Sequence, residues 1–406
     1  MRLLILNQHT SNRGDEAAGK AFLRSVKDLS CGGRVEILYN SIDVQESEMI
    51  SCGGMDIGHY GSSELGFYDK VVIVLSFLVP LSITRFLLKR SPLEEELGII
   101  SRADIVVNAP GGVNIGPYRD WRYLWRLYIS IKLNKPTAVY SISFGPVPRN
   151  FLFKHVSLHV LKNVSFLSLR DMKSQGYAQQ YGIKYIPSID TAFLDRSFDF
   201  QIPDGLQDLI RGKYVVLVPN ELYVWHPDFK KIDENQLDTL YTALIEMFIK
   251  KGLKVILLPQ LYGKGCDQKY MKKLSAQIQN NCEVIVLDDG YNCDIQQVIV
   301  NNAEFVVGAR YHSIVFALRG GVPFYSLSYE HKMTHMLSTL GLSDCSFDLT
   351  FLIFCHSKDL IGKIEMQFDN RKDFRMKIAM AQKKAFEIAK ETCVVFGNFL
   401  TKISGV

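Results

Sequence analysis

The chain has 406 residues, with 47 Lys and Arg against 42 Asp and Glu, a formal net charge of +5, 47% hydrophobic and 22% charged residues. That ordinary globular mix excludes a disordered tail, a collagen and a coiled-coil rod, and the length calls for two packed cores rather than one. The basic residues are scattered, not massed as a nucleic-acid binder masses them, so no nucleic acid is expected as a partner.

Taken in chain order, Arg2–Leu6 predicts a buried first strand, followed by a polar turn and a helix from Glu16. The start MRLLILNQHTSN has only four consecutive large apolar residues and does not read as a secretory signal. The longest apolar stretch, Val71 to Ile83, contains Pro80 and is shorter than the roughly 20 residues a spanning helix needs. It is read as a buried helix or a lid, with peripheral membrane contact as the other reading because Arg85, Lys89 and Arg90 follow. Further strands are predicted at Ala103–Asn108, Thr137–Ser141, Phe166–Leu169, Tyr214–Val218, Lys254–Leu258, Glu283–Leu287 and Glu304–Val307. These are continuous apolar runs, as expected of parallel strands covered on both faces. Apolar residues at helical spacing place a helix over Gln236–Lys251, ended by Gly252, and a long terminal helix over Phe374–Phe399.

The expected fold class is α/β: two Rossmann-like lobes facing a cleft, with a long C-terminal helix. The first lobe is placed at residues 1–200 with an insertion at about 45–92, the second at 201–370, and the helix at 371–406, packing back across the lobes. The eight cysteines form no CxxC pair and no Cys/His set at zinc spacing; Cys345 and Cys355 lack a completing His although His356 is adjacent. Buried thiols of a reducing compartment are expected, with no metal and no cofactor, and a cytoplasmic address, association with the inner face of the membrane being an open option.

The candidate chemistry lies at strand ends. The Glu304–Val307 strand delivers Arg310, Tyr311, His312 and Ser313 to a turn into an apolar helix. Free N–H groups and the helix dipole favour an anion there, a guanidinium grips phosphate or carboxylate, and an imidazole moves a proton near neutral pH. The plain alternative is a His that packs the strand end. A second constellation, Arg170, Asp171 and Ser174 followed by Asp190, again ends a strand with an Arg; the plain alternative is an Arg–Asp pair capping a helix. Other cleft candidates are Asn7, Gly14 and Asp15 in the first turn, Gly111, Gly112 and Asn114 in the second, and Ser143 and Gly145 in the third. None is a GxxxxGK[ST] phosphate loop, and no GxGxxG follows the first strand.

In this order the pieces resemble the polysaccharide pyruvyl transferase family: the Gly14-Asp15 turn, Gly111-Gly112, the Ser143-x-Gly145-Pro146 loop, LRDxxS with Asp190, Arg310-Tyr-His312-Ser313, Gly321-Val-Pro323 and Ser328-Tyr329-Glu-His-Lys332. The resemblance implies a fold like that of GT-B glycosyltransferases, with an acceptor lobe followed by a donor lobe. It implies transfer of a pyruvyl group from phosphoenolpyruvate to a sugar, galactose being the first guess, in a glycan precursor carried on a polyprenyl pyrophosphate. A cyclic ketal forms and phosphate leaves, in capsular or exopolysaccharide synthesis. His312 is then the acid–base residue, Arg170 and Arg310 clamp the donor with Tyr311 and Ser313, and Lys332 adds charge. The competing enzyme reading is a nucleotide-sugar glycosyltransferase on the same fold, for which Glu330 is the nearest ribose ligand. A membrane-docked, non-enzymatic subunit of a glycan pathway is a third reading.

Overall fold

The computed structural model describes residues 1–29, 33–42, 44–112, 115–116, 119–147, 150–195, 202–230, 233–279, 281–354 and 357–404. Two compact units emerge: residues Met1–Thr10, Ala18–Asp195 and Glu387–Val406 form the first, and Ser11–Ala17 with Arg196–Phe386 form the second. The short segment Ser11–Ala17 thus belongs with the second unit although it follows the first strand of the chain.

In the first unit, β1 (Arg2–Gln8), β2 (Arg34–Tyr39), β3 (Ile57–Tyr60), β4 (Ile105–Asn108), β5 (Thr137–Ile142), β6 (Phe166–Leu169) and β7 (Ile186–Pro187) make one parallel sheet in the order β3-β2-β1-β4-β5-β6-β7. Successive strand residues point to opposite faces, and both faces are filled. Leu4 and Leu6 enter one core with Val106, Trp125 and Leu127, while Leu3 and Ile5 enter the other with Phe22, Val107 and Phe396. That is why β1 and β4 read as unbroken apolar runs.

In the second unit, β8 (Tyr214–Val218), β9 (Lys254–Leu257), β10 (Val284–Val286), β11 (Phe305–Gly308), β12 (Phe324–Ser328) and β13 (Ser346–Asp348) form a parallel sheet ordered β10-β9-β8-β11-β12-β13. The order reverses between β8 and β11, and ligands of open α/β sheets bind at the carboxyl ends of the strands at such a point. The terminal helix runs from Arg371 to Ser404. Its residues up to Phe386 belong to the second unit, where Ile378 is buried. From Glu387 onward they belong to the first, where Phe396 packs against the rings of Phe22, Tyr140 and Phe166.

All eight strands expected from apolar runs are present, with ends shifted by a residue or two. Five strands were not anticipated: β2, β3, β7, β12 and β13. In β12 and β13 the reason is chemical. Ser326, Ser328 and Ser346 satisfy one another's hydroxyls (2.9 and 2.8 Å), so a buried strand carries polar letters that read as loop. β3 and β7 are short edge or near-edge pieces that bury little. Segment 45–92, expected as an insertion, supplies β3 to the sheet, and its apolar stretch is broken at Pro80 into the helices Phe67–Ser76 and Leu81–Leu88. No helix among the described residues is long and apolar enough to cross a membrane.

A buried ionic knot braces the first unit. Arg126, on the helix Trp121–Lys132 and fully enclosed, meets Glu96 in a bidentate pair (2.9 and 2.8 Å). It also donates to Asn7 Oδ1 (3.0 Å), Asn40 Oδ1 (2.9 Å) and Ser62 Oγ (2.6 Å). Arg122 pairs with the same carboxylate. Burial pushes the Glu96 carboxyl up, but Arg126 and Arg122 outweigh it and hold the group below the ordinary carboxylate range. Removing one member leaves buried charge without its match, so Glu96→Ala should cost about 3–5 kcal/mol in urea unfolding near neutral pH. A carboxyl depressed in the folded state contributes above its unfolded pKa and loses that contribution as pH falls, so the gap between wild type and variant should narrow towards about pH 3.

Candidate functional site

The carboxyl ends of β8, β9 and β11 in the second unit bring the chemistry-bearing residues together. Arg310 stands at the N-cap of the helix Tyr311–Arg319. Its Nη2 pairs with Asp267 Oδ1, and its guanidinium carbon lies 5.9 Å from the centre of the Trp225 ring. Burial alone would lower the guanidinium pKa, but Asp267, together with Tyr329 and Tyr241, more than offsets this and raises it. The Nε–H of Arg310 is buried and finds no hydrogen-bond partner among the described residues. A buried charged donor of that kind calls for an acceptor.

Asp267 is the hub that aims this arginine. Its Oδ2 accepts from the backbone N–H groups of Gln260 (3.1 Å) and Leu261 (2.9 Å) just beyond β9, while its Oδ1 faces Arg310. The segment Ser11–Ala17 is tied to the same place. Arg13 N donates to Gln260 O (2.9 Å), Asn12 bridges Leu261, and the Arg13 guanidinium lies 3.8 Å over the Tyr262 ring while bonding Glu16 (2.9 Å) and Asp289 O (2.8 Å).

This places Gly14 beneath His312. A Cβ at residue 14 would lie 1.8 Å from His312 Nδ1, so only glycine lets the imidazole take its position. His312 itself is 7% exposed, with the Tyr311 ring edge-on at 5.0 Å between centroids. Gly308 plays a similar part for Ser313, whose Oγ would come within 2.1 Å of an added Cβ. Ser313 corrects one expectation. Both its N–H and its hydroxyl donate to Arg310 O, so its donors are spent on closing the first helical turn and are not offered to a ligand. Lys332, near the start of the helix His331–Thr339, is paired with Glu330 at 2.7 Å and lies 5.7 Å from the Tyr311 ring centre. Burial pushes the Glu330 carboxyl up, yet Lys332 with His226 and His331 brings it below its ordinary value.

The remaining predicted residues, Asp15 apart, lie in the first unit, where most act as scaffolding. Arg170, its side chain 3% exposed, donates to Asp190 Oδ2 (2.6 Å) and Ser143 Oγ (3.0 Å). Asp171 caps the helix Met172–Gln180 by accepting from Ser174 N (2.9 Å) and Ser174 Oγ (2.6 Å), and Ser174 Oγ accepts from Phe144 N (2.7 Å). The LRDxxS motif and Asp190 therefore hold the Ser143–Pro146 loop; the helix cap of the plain alternative comes from Asp171, while Arg170 pairs with Asp190 instead. Gly145 is left-handed (φ 81°) and faces the Tyr177 ring at a distance no Cβ could share. Gly111 and Gly112 are also left-handed, and their backbone is stitched to Ser141 and Ser143. Asn7 is buried, donating to Asn108 Oδ1 (2.9 Å) and accepting from Arg126, so it is a brace of the sheet. Asp15 is buried in the first turn of the helix Arg13–Leu29. Asn114, Cys31, Cys355 and His356 lie outside the described residues.

Sequence reasoning missed Asp267, Gln260, Trp225 and Arg13. Asp267 directly precedes the helix Gln268–Ala276, which suggests an N-cap, yet its carboxylate makes no cap bond. Its true partners lie 6, 7 and 43 residues away, and no local pattern signals them. Among the described residues no group of three or more His, Cys, Asp or Glu side chains could hold a metal ion, and the six described cysteines are free.

Solved structures place the fold in a class. The chain is similar to the UDP-GlcNAc 2-epimerase of Methanocaldococcus jannaschii (TM-score 0.57, 12% identity, 91% of this chain and 93% of that one). It is also similar to TcCGT1 (0.59, 11%, 99% of each) and to the α,α-trehalose 6-phosphate synthase of Burkholderia multivorans (0.55, 11%, 99% of each). These likenesses define a GT-B-like α/β fold. Residues 12–331 match the family described as polysaccharide pyruvyl transferase, and the chain belongs to that family. The amylovoran biosynthesis protein AmsJ of Erwinia amylovora is 22% identical over 294 residues, 70% of this chain and 69% of that protein. The protein is accordingly a transferase of polysaccharide biosynthesis.

The seat of His312 gives a direct test. Gly14→Ala must displace the imidazole, so pyruvyl transfer should fall about a hundredfold in kcat while the circular dichroism spectrum is retained. A variant of unchanged kcat would show that the ring's position does not matter.

Proposed function

We propose that this pyruvyl transferase takes its pyruvyl group from phosphoenolpyruvate and builds a cyclic ketal on a sugar of a capsular or exopolysaccharide precursor. The observation that carries the reading is the Arg310 Nε–H, a buried cationic donor with no partner among the described residues, two residues before His312 at a helix N-terminus and a strand switch point. Phosphoenolpyruvate is small and bears a carboxylate and a phosphate on adjacent atoms, which suits one fixed guanidinium and a helix N-terminus.

In this scheme the enol methylene of the donor takes a proton from His312 as a first sugar hydroxyl attacks C2, giving a tetrahedral phospho-ketal. The hydroxyl proton returns to the imidazole. A second hydroxyl of the same sugar then displaces phosphate from C2, its proton leaving with the phosphate. One donor and one diol thus become one methyl ketal carboxylate and one inorganic phosphate. Arg310 would hold the donor and offset the charge that gathers on the departing phosphate, the kind of fixed electrostatic aid that acts most strongly away from water. Asp267 would keep Arg310 aimed, and Tyr311 with the Lys332–Glu330 pair would wall the pocket. Arg170, already matched by Asp190, is assigned to positioning the Ser143–Pro146 loop.

The acceptor in this reading is a hexose such as galactose on a polyprenyl pyrophosphate; the name of AmsJ, an amylovoran biosynthesis protein, supports a polysaccharide precursor in general. A nucleotide-sugar reading needs Glu330 for a ribose, and that carboxylate is engaged by Lys332.

Phosphate release from phosphoenolpyruvate in the presence of pyrophosphate-linked hexoses, with mass spectrometry of the product, tests the reading. His312→Ala should lower kcat by about two to four powers of ten. Arg310→Lys and Asp267→Asn should chiefly raise the KM for the donor, because a flexible point charge replaces a fixed fork or the fork loses its anchor. Turnover of His312→Ala near the wild-type rate, or release of a nucleotide instead of phosphate, would refute it.

A further inference from the structure

The helices Phe67–Ser76 and Leu81–Leu88 show apolar residues on two sides. The inner side is accounted for. Val72, Ile73, Phe77 and Leu88 enter the core of the first unit, and Phe77 packs edge-on to Tyr128 with 5.0 Å between centroids. Lys132 closes the end of the first helix by donating to the carbonyls of Ser76 and Val79, and Tyr68 Oη joins the two helices through Leu87 O (2.7 Å). The pair is therefore a fixed element of the fold.

The outer side has no such cover. Phe67, Val71, Leu75 and Leu78 recur at i, i+4, i+8 and i+11, one stripe along the first helix and its end, and Ile83 and Phe86 are exposed on the second. Phe67 is 85% exposed and Phe86 71%, values far from those of core rings. A helix apolar all round is normally buried, and an apolar stripe of this extent on a soluble face marks a contact surface. Within residues 66–90 the exposed charges have one sign, while exposed Glu64, Glu94 and Glu95 flank that stretch. Lys70, Arg85, Lys89 and Arg90 are exposed, whereas the only carboxylate between Gly66 and Arg90, Asp69, is buried and caps its own helix through Gly66 N (2.8 Å).

We propose that this face is a membrane-docking surface that seats the enzyme on anionic lipid headgroups. The rings of Phe67 and Phe86 with the aliphatic stripe enter the headgroup–acyl boundary, and the four cations meet lipid phosphates. Helices of 10 and 8 residues lie in that boundary and are too short to span the bilayer. A second copy of the chain is the weaker occupant, because a two-fold contact would bring the cations of residues 66–90 against the same cations, with no exposed carboxylate in that stretch to match them. The inference needs no particular donor or acceptor, so it stands apart from the proposed reaction.

Co-sedimentation of the full chain with vesicles is the test. The protein should pellet with equimolar phosphatidylcholine and phosphatidylglycerol, less with phosphatidylcholine alone, and less again as salt is raised. Phe67→Ser/Phe86→Ser and Arg85→Glu/Lys89→Glu should each weaken vesicle binding about tenfold or more while leaving thermal unfolding and turnover of a soluble acceptor unchanged. The proposal is overturned if wild type ignores both vesicle types or if both variants bind as wild type does. It is equally overturned if light scattering shows a dimer that Phe67→Ser/Phe86→Ser converts to a monomer with no vesicle binding.

Discussion

The contact between Asp267 and Arg310 organises the second unit's strand ends. One buried carboxylate collects two backbone N–H groups beyond β9 and a guanidinium beyond β11, linking two loops that the sheet alone would leave independent. The cost of burying each charge is offset by the other and by the additional hydrogen bonds, the condition under which a buried pair is tolerated. Because the carboxylate takes one edge of the guanidinium, the remaining Nε–H has a fixed direction. An arginine held that way recognises an anion with little loss of side-chain freedom.

The imidazole is fixed by a different device, the absence of a side chain. His312 sits where a Cβ on residue 14 would be, and the loop carrying Gly14 is held against the second unit by Asn12, Arg13 and the turn beyond β9. The chain thus spends its first turn on a site assembled mostly from residues three hundred positions later. In the first unit the corresponding motif works otherwise. Arg170 pairs with Asp190 and Ser143, and Asp171 with Ser174, so these groups hold one another and the nearby loop.

The helix pair beside the first sheet adds a third theme. Its inner face behaves as any amphipathic helix does, while its outer face is apolar with a fringe of cations. A polysaccharide transferase whose acceptor is carried by a lipid would gain from such a surface, since a membrane-bound enzyme meets its acceptor by diffusion in two dimensions. That advantage is independent of the chemistry at Arg310 and His312.

Much of this was legible in the linear chain. Continuous apolar runs marked the eight principal strands because parallel strands bury both faces, and the ordered motifs pointed to the family because strand-end residues recur at set intervals along such a fold. The strands β12 and β13 escaped because their serines are satisfied by one another, which only pairing across the sheet can arrange. The identity of Arg310 and His312 as candidates was local information. That Arg310 keeps a donor to spare, why residue 14 must be glycine, and that Asp267 aims the guanidinium were decided by tertiary structure, because each depends on groups brought together from distant segments whose spacing carries no periodic signal.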